Sequence, residues 1–110
     1  MDNMNSQPVC EIDEEGNKEW FLNGELHRED GPAIEFANGS KAWYLHGKYH
    51  REDGPAYEGV SRLFTTGWRK WYLEDERVQP EDVVDYNLAK GIFCYYDEKT
   101  EQLIFGGDDE

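Results

Sequence analysis

A seven-residue segment, His-Arg-Glu-Asp-Gly-Pro-Ala, occurs twice in this chain, at 27–33 and at 50–56. The offset of 23 residues (50 − 27 = 23) also relates Glu-Trp-Phe-Leu-Asn-Gly at 19–24 to Ala-Trp-Tyr-Leu-His-Gly at 42–47. A fixed period of this size indicates one supersecondary unit that is copied and stacked, because a single copy cannot bury its apolar face. The 110 residues therefore predict one domain of stacked units.

Glycine-centred turns indicate that each unit is made of short antiparallel strands. Asn38-Gly39 predicts a type I′ hairpin turn between strands at 33–36 and 41–45, and Asn23-Gly24 and His46-Gly47 predict the turns that follow the tryptophan strands. The Arg-Glu-Asp-Gly-Pro segments would form the corners between hairpins. We expect order to begin near Val9, after a loose polar arm at 1–8.

Side-chain alternation predicts two aromatic ladders on opposite faces of this sheet, because successive residues of a strand point to opposite sides. One ladder would contain the tryptophans with their neighbouring leucines: Trp20, Trp43 and Trp71. The opposite ladder would contain Phe21, Tyr44 and Tyr72.

The third unit is longer than the others. Trp43 and Trp71 are 28 residues apart, five more than the period, which places an insertion at about 57–66 and predicts a bulge or a lengthened hairpin. Aromatic residues and arginine dominate binding hot spots, so the insertion and its surroundings are a candidate contact patch for a partner. We expect this patch to comprise Arg62, Leu63, Phe64, Trp68 and Arg69, with Tyr44 and Tyr72 of the ladder.

The repeats stop after Val78 and a different pattern begins. Gln-Pro-Glu-Asp at 79–82 is typical of a helix start, and a partly apolar stretch then runs to Gly91, which predicts one helix over about 80–90. Residues 92–96 and 101–105 predict a terminal hairpin, followed by an acidic tail. We expect residues 79–110 to cap the open end of the repeat sheet.

The net charge of −14 limits the classes of ligand. Acidic residues dominate both ends of the chain, with 10 acids and 3 bases in residues 1–41 and 9 acids and 2 bases in residues 79–110. Such a field repels phosphate backbones and anionic lipids, so we expect no direct nucleic acid and no membrane among the ligands, and a protein partner with a basic surface.

The chain shows neither a secretory signal nor an apolar run of membrane-spanning length, so we expect a cytoplasmic protein. Cys10 and Cys94 are then expected to be reduced thiols, packed or half-buried. An open sheet edge would allow a homodimer.

The period, together with Trp43, Gly47, Lys48 and His50 and the Asn-Gly-Ser-Lys turn at 38–41, resembles MORN repeats. The sequence more closely resembles the variant, common in bacterial and viral proteins, that has a WYxNGxxHREDGPA core, and this resemblance covers roughly 10–78. The resemblance implies a mainly β fold: a single-layer antiparallel meander of 23-residue repeats, here capped by one C-terminal α-helix and a β-hairpin.

The resemblance also implies a non-enzymatic scaffold that binds a protein or a lipid. Some bacterial members are antitoxin components, so a phage- or bacteria-type inhibitor that blocks or recruits a protein, in the host cytoplasm if phage-encoded, is the expected function. The structural repeat residues would be Trp20, Trp43, Trp71, His27, Arg28, Asp30, Gly31, His50, Arg51, Asp53 and Gly54.

Two alternatives use other residues. A divalent-metal hydrolase could use the His/Glu/Asp clusters of the two corners, but we favour turn chemistry there, with Arg28 and Arg51 reaching carboxylates of the neighbouring unit, and expect no metal, cofactor or catalytic residue. A nucleic-acid mimic could instead occupy the DNA- or RNA-binding groove of a host defence enzyme, as anti-CRISPR or anti-restriction proteins do. Its carboxylates would be Glu11, Asp13, Glu14, Glu15, Glu81, Asp82, Asp85, Asp97, Glu98 and Glu101.

Overall fold

The computed structural model describes residues 7–60 and 68–106. These residues are mainly β, with antiparallel sheets and one helix, which confirms the predicted fold class at that level. The helix is α1 (Pro80–Ala89). The strands are β1 (Val9–Ile12), β2 (Lys18–Leu22), β3 (Glu25–Leu26), β4 (Ile34–Glu35), β5 (Lys41–Ala42), β6 (Tyr44–Leu45), β7 (Lys48–Tyr49), β8 (Tyr57–Gly59), β9 (Trp68–Leu73), β10 (Glu76–Val78), β11 (Cys94–Asp97) and β12 (Gln102–Phe105).

The main sheet places its strands in the order β1-β2-β4-β5-β8-β9-β10, and β3 pairs with β2. All of its pairings are antiparallel, for example Ile34 with Ala42 and Tyr57 with Lys70. Two further hairpins, β6–β7 and β11–β12, form separate two-stranded ladders. The strand predicted at 41–45 is therefore divided at Trp43 between the main sheet and the β6–β7 hairpin.

The Asn-Gly pair at 38–39 does not form the type I′ turn that was predicted there. At 38–39 only Gly39 has a positive φ, of 97°, and Gly39 N–H donates to the Phe36 carbonyl, so this loop is not a type I′ turn. Positive φ at both central residues occurs in the tryptophan hairpins, at 23–24 and 46–47, where turns were predicted, and also at 74–75. The backbone twist of these two-residue turns matches the right-handed twist of the short strands on either side.

The same backbone hydrogen bonds recur around the first two tryptophans. Trp20 N–H donates to the Ala33 carbonyl at 2.8 Å, and Trp43 N–H donates to the Ala56 carbonyl at 2.7 Å. The tryptophan carbonyls in turn accept from the N–H groups of His27 and His50, at 2.9 and 3.1 Å. Both segments therefore bond to their surroundings in the same way, 23 residues apart.

The C-terminal segment covers the third tryptophan. Trp71 is 6% exposed and packs with Val83 of α1 and Leu103 of β12, while the Tyr96 ring meets it edge-on at 5.8 Å. The helix begins with a capping box in which the Asp82 carboxylate accepts from the Gln79 N–H. The predicted helix and hairpin positions are thus occupied by α1 and by β11–β12, although β11 starts at Cys94 instead of Ile92.

The two cysteines differ in environment. Cys94 is buried, as expected, whereas Cys10 is exposed because β1 is the first strand of the sheet and the whole strand is open to solvent. Within the described residues no helix has the length and apolar character needed to span a membrane.

Candidate functional site

The two His-Arg-Glu-Asp-Gly-Pro-Ala segments form two similar corners, which we name corner one (27–33) and corner two (50–56). In corner one the His27 ring is buried, and its Nδ1 accepts a hydrogen bond from the His46 N–H at 2.9 Å. In corner two His50 Nδ1 accepts from the Glu74 N–H at 3.0 Å. Each histidine thus binds the turn of the following hairpin, and its Nε2 remains to face a glutamate of its own corner.

Arginine closes each corner. Arg51 donates through Nε to Asp53 at 2.8 Å and through Nη1 to the Pro55 carbonyl and to Glu58, both at 3.0 Å. Arg28 makes the same bonds to Asp30, the Pro32 carbonyl and Glu35. Asp30 and Asp53 belong to the arginine's own corner, whereas Glu35 and Glu58 lie on the strand that follows it, β4 or β8.

The glycine of each corner explains why the arginine folds back. A Cβ placed on Gly54 would lie 2.6 Å from the Arg51 Cζ, and one on Gly31 would lie 3.0 Å from the Arg28 Cζ. Only glycine lets the guanidinium approach the backbone this closely, so the side chain curls over its own loop.

The folded-back guanidinium covers a tryptophan ring. Arg28 Cζ lies 3.9 Å from the Trp20 ring centroid, and Arg51 Cζ lies 3.7 Å from that of Trp43. A guanidinium in this position attracts the negative face of the indole. Cations thus cover Trp20 and Trp43, whereas α1 and β12 cover Trp71.

Corner two is joined to α1 through Glu52. The Glu52 carboxylate accepts from Lys90 Nζ and from His50 Nε2, both at 2.8 Å, and from the Tyr86 hydroxyl at 3.2 Å. The Glu52 carbonyl accepts from Asn87 Nδ2 at 2.8 Å, and Asn87 is 1% exposed. Sequence reasoning missed Glu52, Tyr86, Asn87 and Lys90 as a group, although the spacing of the last three puts them on neighbouring positions of one helix face.

This cluster changes the acidity of its members. Burial disfavours the charge on Glu52, but the hydrogen bonds from Lys90 and His50 outweigh it and lower the pKa of Glu52. The bond to Glu52 raises the pKa of Lys90. Burial, together with the nearby Glu52 charge, raises the pKa of Tyr86. Glu52 and Lys90 are therefore an ion pair at neutral pH.

A groove of about 820 Å³ separates corner one from corner two and the C-terminal segment. Its volume is within the range of ligand-binding clefts. Trp43 and Leu45 lie between the corners, and Ile92 and Phe105, each 40% exposed, contribute apolar surface from the C-terminal segment. The corner residues that line it are Arg28, Glu29, Asp30, Gly31, His50, Arg51, Glu52 and Asp53, and α1 contributes Asn87.

The predicted aromatic patch is not brought together as one surface in the described residues. Tyr44 and Tyr72 each stack on Tyr49, with centroids 4.4 and 4.7 Å apart. Arg69 instead pairs with Glu101 of the C-terminal hairpin at 2.7 Å, since Arg69 and Tyr72 alternate to opposite sides of β9. Arg62, Leu63, Phe64 and the Trp68 side chain lie outside the described residues.

The candidate acidic row is divided between the two ends of the sheet. Glu11, Asp13, Glu14 and Glu15 lie on β1 or its turn, whereas Glu81, Asp82, Asp85, Asp97, Glu98 and Glu101 lie on α1 and the β11–β12 hairpin. Six strand-to-strand steps separate β1 from β10, or about 29 Å. Asp13 is also engaged in its own turn, where hydrogen bonds from Asn17 lower its pKa.

The histidine corners do not gather a metal-binding set in the part of the chain that the structure describes. His27 and His50 each face one glutamate, at 3.4 and 2.8 Å. Asp30 and Asp53 face the arginines instead. Among residues 7–60 and 68–106, no three His, Cys, Asp or Glu side chains are grouped as metal ligands.

No protein-family model, curated protein or solved structure matches this chain. The groove between the corners therefore has to be interpreted from its own geometry.

Proposed function

We propose that this chain is a non-enzymatic, acidic protein-binding module built from MORN-like repeats, and that it acts as an inhibitor or antitoxin-like protein by blocking or recruiting a protein partner. The observation that carries the proposal is the groove between the corners. It combines the exposed carboxylates of Glu29 and Asp30 with the apolar surface of Trp43, Leu45 and Phe105. Mixed surfaces of this kind suit a basic protein segment.

The recurring hydrogen bonds support the repeat interpretation. Both tryptophans bond to an alanine carbonyl and a histidine N–H, both histidines accept from the next hairpin turn, and both arginines make the same fork. Rigid corners would hold the groove walls in place before a partner binds, which lowers the entropic cost of association. The single sheet path would be a repeat meander, and α1 with the terminal hairpin would be its cap.

Affinity capture from the native host tests the proposal. The tagged chain should retain a specific protein partner, and Glu29→Arg should reduce its recovery because the reversed charge repels a basic surface. Glu98→Arg makes the same charge change on the β11–β12 turn and should leave recovery unchanged. If Glu29→Arg and Glu98→Arg recover the same amount of the partner, the binding surface lies outside the groove.

The response to salt separates this mode of binding from nucleic-acid mimicry. A mimic should lose affinity steeply as salt rises, compete with DNA or RNA for its partner, and be weakened by Glu98→Arg as much as by Glu29→Arg. Binding in the groove should also weaken as salt rises, because Glu29 and Asp30 are exposed, but less steeply than binding by a mimic that uses many carboxylates, and without competition by DNA or RNA. A partner that releases the chain on addition of DNA would favour the mimic.

A further inference from the structure

Corner one and corner two have the same sequence and the same internal bonds, but differ in what covers their glutamates. The Glu52 side chain is 31% exposed beneath α1, whereas the Glu29 side chain is 81% exposed. Both glutamates face the Nε2 of their own buried histidine. Glu29 therefore lies at the equivalent place, at a longer distance of 3.4 Å from its histidine and without the cover that Glu52 has.

Corner two shows which chemical group such a glutamate binds. The ammonium of Lys90 lies 2.8 Å from Glu52 Oε1, and the Tyr86 hydroxyl occupies Oε2 together with His50. In the described part of the chain, the Glu29 carboxylate has a contact with His27 and none with a lysine or arginine. Among residues 7–60 and 68–106, none takes at corner one the position that Lys90 takes at corner two.

The charges around Glu29 also favour a cation. Arg28 is committed to Asp30 and Glu35, and Arg51 to Asp53 and Glu58, so neither guanidinium is free to neutralise Glu29. The net charge of −14 adds a long-range attraction for basic surfaces.

The apolar lining of the groove selects among cations. Leu45, Ile92 and Phe105 offer a surface for a hydrocarbon chain, and Glu29 lies on the corner-one wall. Lysine matches this arrangement because its four-carbon stem packs on apolar surface while its ammonium stays at a charged, solvated position.

We infer that the groove binds a lysine side chain of a partner protein, with its ammonium on Glu29, in the way that Glu52 binds Lys90. This inference rests on the proposed function and specifies the chemistry of the partner. The pair of Lys90 with Glu52 is the bond that a partner's lysine would make with Glu29.

A titration followed by two-dimensional NMR tests the inference on the full chain. The probe is Nα-acetyl-lysine methylamide, and the uncharged control is Nα-acetyl-norleucine methylamide at matched chloride concentration. The lysine probe should shift the amides of residues 28–31 and the Trp43 indole in a saturable way. Glu29→Gln should weaken its binding about fivefold, as expected for a solvent-exposed ion pair, whereas Glu98→Gln should leave the affinity unchanged.

Three outcomes would overturn the inference. Binding of the norleucine compound at the same residues would show that the ammonium is not recognised. Unchanged affinity in Glu29→Gln would place the cation elsewhere. A dimer in sedimentation experiments that Glu29→Gln dissociates would show that a second copy fills the groove.

The proposed function can fail separately. If wild type and Glu29→Gln capture the host protein equally well while the lysine probe does not bind, that result would contradict lysine binding at Glu29 but would agree with a protein-binding module. If the probe binds at Glu29 but no host protein is captured, the result supports a lysine site at Glu29 and contradicts the proposed function of binding a host protein.

Discussion

His50 accepts a hydrogen bond through Nδ1 from the backbone N–H of Glu74, 24 residues later, at 3.0 Å. Glu74 opens a two-residue turn in which both central residues have positive φ. The bond links corner two to the following hairpin, and its histidine also contacts Glu52, which binds α1. One buried ring thus connects the main sheet to the C-terminal segment.

Replacing His50 should loosen this connection. His50→Phe keeps a planar ring but leaves the Glu74 N–H without its acceptor, which should lower the free energy of unfolding by about 2 kcal/mol. Urea unfolding followed by tryptophan fluorescence measures the loss, and hydrogen exchange should accelerate at the Glu74 amide.

His46→Asn is the matched control for His50→Phe. His46 is 74% exposed and has a φ of 51°, a conformation that asparagine adopts readily. We expect its stability to equal or slightly exceed that of wild type. A similar loss in both variants would mean that the buried ring contributes no more than the exposed one.

The two corner glutamates should differ in their contribution to stability. Glu52→Gln breaks the ion pair with Lys90 and should lower the free energy of unfolding by about 1 kcal/mol. The loss is modest because solvent screens this partly exposed pair. Glu29→Gln makes the same change at a glutamate that does not contact α1, so it should have little effect on the free energy of unfolding. Denaturant melts of the two variants near neutral pH provide the comparison.

The pH dependence of Glu52→Gln gives a second check. The pKa of Glu52 is lowered in the folded state from its ordinary 4.5, so the unfolded chain takes up the proton first as pH falls. The stabilisation is present above that ordinary value and is lost as pH falls through the lower, folded value. The gap between wild type and Glu52→Gln should therefore close in acid; a constant gap would rule out the ion pair as its cause.

The fork of Arg51 should not tolerate lysine. A lysine ammonium cannot hold Asp53, the Pro55 carbonyl and Glu58 while lying flat on Trp43, so Arg51→Lys should cost about 2 kcal/mol. Arg77→Lys is the control, because the Arg77 Cζ lies 6.0 Å from the Tyr72 ring on an exposed part of β10. Equal melting midpoints for the two variants would contradict a structural role for the fork.

The mainly β fold and the helix at 80–89 could be inferred from the sequence because they depend on local chemistry. A proline near a helix start, or Asp-Gly before proline, restricts the backbone of a few neighbouring residues. The position of the type I′ turns could not be inferred from Asn-Gly alone. Asn38-Gly39 has the preferred residues, yet a longer loop forms there. The turn at 74–75 has positive φ at both residues although glutamate at its first position disfavours that conformation.

The groove could not be predicted from the sequence because it depends on long-range packing. Nothing local to Asn87 indicates that its amide will bind the Glu52 carbonyl, 35 residues earlier. The repeat pattern indicated that Arg28 and Arg51 have equivalent roles, but not that each would fold back over its own glycine. Candidate residues at 61–67 lie outside the described part of the chain, so their role as a contact patch stays a prediction.

The turn at Glu74 offers a stabilising substitution. Glu74 has a φ of 49°, in which a side chain other than asparagine or glycine is strained, so Glu74→Asn should raise the free energy of unfolding by about 0.5 to 1 kcal/mol. The backbone N–H that binds His50 is unchanged by this substitution. Glu76→Asn, in the exposed strand β10, removes the same charge and should give no gain. If both Glu74→Asn and Glu76→Asn stabilise the protein, the effect comes from the lost charge and not from the turn.

Alkaline unfolding should depend on Tyr44. Burial, followed by a side-chain hydrogen bond with Tyr49 and nearby charges, raises the pKa of Tyr44 well above its ordinary 10.0. The unfolded chain therefore releases this proton near pH 10 while the folded chain retains it, so the free energy of unfolding should fall as pH rises above about 10. In Tyr44→Phe the fall between neutral pH and about pH 10.5 should be smaller, as measured by urea titrations. Comparing each protein with itself at neutral pH removes the effect of the lost hydroxyl, and an unaltered slope would show that Tyr44 ionises equally in both states.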